Sequence, residues 1–102
     1  MRQFTTPVLL LTVKDQLIAD KEIWVTLKGI DTTLTLKTPA IYVTETEKDT
    51  NISVYLTQEQ TAKFRPHESA AIQVNWMNET IRCATNIAYV RVADNILKEI
   101  LP

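Results

Sequence analysis

Three stretches of this chain alternate apolar and polar residues with a period of two: Ile23-Trp24-Val25-Thr26-Leu27-Lys28, Ile52-Ser53-Val54-Tyr55-Leu56 and Ala71-Ile72-Gln73-Val74-Asn75-Trp76. Successive side chains of an extended strand point to opposite faces, so this pattern specifies strands with one buried face. It sets Ile23, Val25 and Leu27, then Ile52, Val54 and Leu56, then Ile72, Val74 and Trp76, toward a core. Composition points the same way. Fifteen Thr, ten Ile and eight Val make up a third of the 102 residues. β-Branched side chains of this kind favour the pleated surface of a sheet. With Gly29 as the one glycine, the turns must be built from Asp, Asn, Pro and Thr.

The remaining strands follow from their punctuation. Gly29-Ile30-Asp31 reads as a hairpin turn into Thr33–Lys37, which Pro39 ends, and Ile41–Thr44 follows. The polar stretch Glu45–Asn51 is an exposed turn. Met77–Thr80 turns the chain into a long last strand, Ile81 to about Val92, whose apolar parity changes between Ile87 and Val90; this predicts a bulge or bend. The first strand, roughly Phe4 to Val13, is apolar on both sides at Leu9-Leu10-Leu11, so both of its faces are expected to be covered. Asp94 and Asn95 are helix-capping residues, and Ile96, Leu97, Ile100 and Leu101 then recur at helical spacing. The expectation is a short C-terminal helix with one sticky side. About seven short strands at spacings near ten residues describe a single all-β domain over residues 1–102, a two-sheet sandwich or small barrel.

Charge and hydropathy bound the function. Eleven basic and twelve acidic residues give a net charge of −1 and no basic run, so a nucleic-acid partner is not expected. No apolar run approaches the ~20 residues of a membrane-spanning helix. The start, MRQFTTPVLLLTV, lacks a small-residue cleavage site and reads as a strand rather than a secretory signal. The single Cys forms no internal disulfide, in keeping with a reducing compartment.

One stretch breaks the strand pattern, LTQEQTAKF at Leu56–Phe64. Thr57 and Gln60 have the spacing of a capping box, Ala62 and Phe64 face inward, and Pro66 blocks continuation. The reading is a one-turn helical corner over 57–63 that carries the chain from one sheet to the other. Immunoglobulin-like sandwiches often have such a connection at this point, and the fold expected is an immunoglobulin-like β-sandwich. Thr57-Gln58-Glu59-Gln60-Thr61 with Phe64, Ala71–Trp76, Ala84-Thr85-Asn86-Ile87 and Ile96–Leu101 together resemble a family of small proteins encoded in prophages of Gram-positive bacteria. These proteins are associated with the tail and baseplate, and are similar to the N-terminal domain of baseplate upper proteins. The resemblance runs from about Phe4 onward. It implies a non-enzymatic structural or assembly protein, found in the virion or in the host cytoplasm during assembly, with other virion or tail proteins as partners. Homo-oligomerisation is expected as well, since virion components are commonly symmetric.

His67 stands alone after Pro66, without the convergent ligands a metal requires, and is read as a solvated loop residue. Cys83 falls mid-strand and is read as a small, inert apolar side chain. Glu45, Glu47 and Asp49 alternate, but without the tight turn of a calcium loop, so they are read as a solvated turn. No catalytic, metal or cofactor residues are assigned, and no cofactor is expected. Trp24 and Tyr55 lie out of phase with the core positions beside them and should either cover the first strand or anchor an interface. With Ile96, Leu97, Ile100 and Leu101 they form the candidate interface. Exposed aromatics also suit a second reading, a carbohydrate-binding or host-adhesion module using Trp24 and Tyr55.

Overall fold

The computed structural model describes residues 1–102. Eight strands and one helical turn follow one another: β1 Val8–Val13, β2 Ile23–Lys28, β3 Thr33–Lys37, β4 Tyr42–Glu45, β5 Thr50–Tyr55, α1 Gln58–Ala62, β6 Ser69–Asn78, β7 Ile81–Ala84 and β8 Ala88–Arg91. They make two antiparallel sheets packed together. One has the order β1-β5-β4; the other runs β3-β2-β6, with β7 and β8 both on the far edge of β6. The three alternating stretches became β2, β5 and β6, and their inward positions are the heart of the core. Ile23, Val25, Leu27, Ile52, Val54, Leu56, Ile72, Val74 and Trp76 are all buried. Each such side chain contributes about 1.5–3 kcal/mol on leaving water, which favours this register over a one-residue slip that would expose it.

The last strand is broken where three residues oppose two. Asn75 pairs with Ala84 and Ile72 with Ala88, so Thr85, Asn86 and Ile87 face only Gln73 and Val74. This is a bulge, lying just before the predicted change of parity. Thr85 makes up the lost ladder bonding. Its N–H donates to the Val74 carbonyl (3.0 Å), and its hydroxyl accepts from the Val74 N–H (3.1 Å).

The corner is built as the sequence indicates. Thr57 Oγ1 accepts from the Gln60 N–H at 3.1 Å, and Gln60 Oε1 accepts from the Thr57 N–H at 2.9 Å. Phe64 is buried behind the turn, but the inward residue of the helix itself is Thr61 rather than Ala62. The Thr61 hydroxyl donates to the Thr5 carbonyl (3.0 Å) and accepts from the Thr5 N–H (3.2 Å), pinning the N-terminal segment to the corner. Residues 1–3 run parallel to the chain at Ala93. The buried Gln3 side chain donates to the Phe64 carbonyl and accepts from Lys98.

Two expectations need correction. The first strand starts at Val8, since Phe4 adopts a left-handed φ of 57°. Its two faces are not both covered: Leu9, Leu11 and Val13 turn inward, but Leu10, on the outer face of the three-stranded sheet, is 78% exposed. There is no C-terminal helix. Asn95 does not cap one; its Oδ1 accepts from the Leu97 N–H (3.2 Å) in a tight turn, while its amide donates to the Gln3 carbonyl (3.2 Å). The Gln58 side chain then takes both backbone groups of Leu101, accepting from its N–H (2.8 Å) and donating to its carbonyl (3.0 Å). A segment this short gains too little from its own helical bonds to compete with such partners.

Candidate interaction surfaces

A two-sheet sandwich has two outer faces, and here they differ in chemistry. On the three-stranded sheet, alternation and register put Val8 opposite Tyr55, and Leu10, Ser53 and Tyr42 in one row. Leu10 (78% exposed), Tyr42 (67%), Tyr55 (55%) and Val8 (43%) make an open apolar face. The rings of Tyr42 and Tyr55 meet edge to face, with centroids 5.2 Å apart. The next row, Thr12, Asn51 and Thr44, is also uncharged. Aromatic rings ordered by a neighbour and ringed by uncharged residues are the composition of an interface core.

The outer face of the five-stranded sheet is basic. Four Lys or Arg residues lie in strands, Lys28, Lys37, Arg82 and Arg91, and all four occupy outward positions of this one sheet. Glu45, on the other sheet, is the one carboxylate found in any strand. Only Lys37 of the four is paired, with Glu22 at 2.7 Å. Trp24 sits opposite Lys37 in the register, with the ammonium 5.9 Å from its ring centroid, within cation–π range. Beside Trp24 an open groove of about 400 Å³ runs over Thr26, Thr35, Asn75, Trp76, Met77 and Arg82. The scatter of charge along the sequence hides this basic face; outward parity of Lys28, Lys37 and Arg82 in their strands is the signal that reveals it.

Of the residues singled out by sequence, Trp24 and Tyr55 are on outer faces as expected, but on different sheets, so they cannot share one flat platform. Ile96 is 99% exposed, while Leu97, Ile100 and Leu101 are each about half exposed along an irregular C-terminal segment rather than on one helical stripe. Cys83 pairs across from Trp76 and packs on the core from an edge strand, half-buried rather than fully buried. His67 lies in an exposed loop with φ 70°, and its neighbour Glu68 turns inward. Glu68 was not anticipated. Its carboxylate is buried against Gly29, with Oε2 accepting from the Ile30 N–H at 3.1 Å. Glu45 and Glu47 are exposed, and Asp49 Oδ1 accepts from the Asp15 N–H (2.9 Å), which ties the loop after β1 to the β4–β5 turn.

No protein-family model, no curated protein and no solved structure matches this chain.

Proposed function

We propose that this protein is a non-enzymatic binding module that docks on other proteins, and on copies of itself, through the outer face of its three-stranded sheet. The observation that carries the reading is the exposed row of Val8, Leu10, Tyr42 and Tyr55 on a sheet face without charge. Leaving such a face in water is unfavourable, and covering it with a partner removes apolar area at about 25 cal/mol per Å². The apolar side chains of the C-terminal segment extend the surface available to a partner. The finer fold class we propose is immunoglobulin-like. Its support is the strand order β1-β5-β4 against β3-β2-β6-β7/β8, the helical corner between β5 and β6, and the N-terminal segment running parallel beside the last strand. The setting we propose is a phage tail or baseplate, in the virion or in the host cytoplasm during assembly; its support is the sequence likeness of the corner, β6 and C-terminal segments to prophage tail proteins.

The test is size exclusion with light scattering on the full chain, Leu10→Lys and the deletion of residues 96–102. The full chain is expected to self-associate in the micromolar range, and Leu10→Lys to be monomeric with an unchanged far-UV spectrum. A full chain that stays monomeric and captures no tail protein would refute the reading.

A further inference from the structure

The groove beside Trp24 belongs to the other sheet and is independent of the docking face. Its volume, about 400 Å³, is that of a small-ligand site rather than a protein footprint. Its chemistry is mixed in a particular way. An indole supplies an apolar wall. The Thr26 and Thr35 hydroxyls, 3.1 Å apart, and the Asn75 amide supply neutral donors and acceptors. Arg82 supplies the charge. Its Nε donates to Asn75 Oδ1 at 3.2 Å, which fixes the guanidinium at the groove, and no carboxylate pairs with it. Lys37, opposite Trp24 in the register, is also cationic but is paired with Glu22, and the strands around the groove carry no acid, so Arg82 is the groove's free charge.

A ligand complementary to these walls has an apolar C–H face for the indole, several hydroxyls, and one anionic group for Arg82. We propose that the groove binds an acidic sugar. The slightly positive C–H groups of a pyranose ring rest on the electron-rich face of Trp24. Thr26, Thr35 and Asn75 exchange hydrogen bonds with the ring hydroxyls. The sugar carboxylate receives the two terminal N–H groups of Arg82, the geometry in which guanidinium and carboxylate pair best. Single-stranded nucleic acid suits the site less well, because it needs successive aromatic platforms along a basic track. Two tryptophans border the groove, but Trp76 is buried in the core, which leaves Trp24 as its one exposed ring and Arg82 as its one unpaired cation.

The experiment is a calorimetric titration of the full chain, with tryptophan fluorescence recorded in parallel. The ligands are oligogalacturonate, hyaluronan oligomers and sialyllactose, set against galactose oligomers, lactose, inorganic phosphate and an oligothymidylate. At least one acidic sugar is expected to bind more tightly than its neutral counterpart and to perturb the emission of Trp24. Arg82→Gln, an exposed change on an edge strand, should lower that affinity about tenfold, the worth of one charge-assisted pair, and leave the neutral sugars unaffected. Trp24→Ala should abolish binding of both kinds. Three results would each overturn the proposal: no acidic sugar bound, equal affinity for acidic sugars in Arg82→Gln, or binding of the oligothymidylate or phosphate alone. Each leaves the docking face untouched, since that is read from oligomeric state.

Discussion

Gly29→Ala should be among the most damaging single-methyl additions in this protein. The glycine is needed because the Glu68 carboxylate and the Phe64 ring press against its α-carbon. A Cβ there would overlap Glu68 Oε1 and come within 2.9 Å of Phe64 Cδ1. Phe64 is 1% exposed and locked behind the corner, so the carboxylate must move. Moving it gives up the bond from the Ile30 N–H, and hydrogen bonds to charged groups are worth about 1.5–3 kcal/mol. Residual overpacking against Phe64 adds about 1 kcal/mol, the low end for an extra methyl in a packed site. The restriction of the unfolded chain by alanine returns about 0.4–1 kcal/mol. The expected net loss is therefore about 2–3 kcal/mol, read from urea unfolding followed by tryptophan fluorescence. The mechanism is separable from a generic backbone effect. In a Glu68→Ala background the obstruction is gone, and Gly29→Ala should cost at least about 1 kcal/mol less than in the parent. A neutral Gly29→Ala, or strict additivity of the two changes, would refute the reasoning.

Thr57→Ala removes one half of the capping box and should cost about 1 kcal/mol by the same assay, with partner binding retained in the folded protein. Loss of binding without loss of stability would make the corner a functional element. Cys83, half-buried on the core side of an edge strand, should react with a thiol reagent in the native state well below its rate in denaturant. Equal rates would place it in open solvent.

Much of the fold was legible because its determinants are local. The alternation in β2, β5 and β6 states which face is buried, and the Thr57–Gln60 spacing states where the chain turns. The features that were not legible depend on partners distant in the chain. Nothing near Leu10 says that the outer face of its sheet is left open; that depends on how the two sheets are layered. The C-terminal spacing of Ile96, Leu97, Ile100 and Leu101 fits a helix, but Gln58 and Gln3, far away in sequence, hold the segment in another form. Glu68 and Gly29 each look ordinary alone, and their contact emerges only when the β2–β3 hairpin meets the loop after the corner. The same holds for the two surfaces. Trp24 and Tyr55 are each visible as out-of-phase aromatics, but their separation onto opposite faces is a property of the topology.

The pairing of β2 with β6 also bears on how the chain reaches this state. The β2–β3, β4–β5 and β6–β7 hairpins each close over a short turn. The contact that joins the first and last of these does not: Ile23 lies opposite Trp76, more than half the chain away. Closing that span costs entropy before any of the shared core is gained, so the hairpins can flicker early while the committed step waits for β2 to find β6. Refolding is then expected in the millisecond-to-second range of sandwich topologies. Substitutions at Val25 or Val74, which face each other across that pairing, should slow folding more than they speed unfolding.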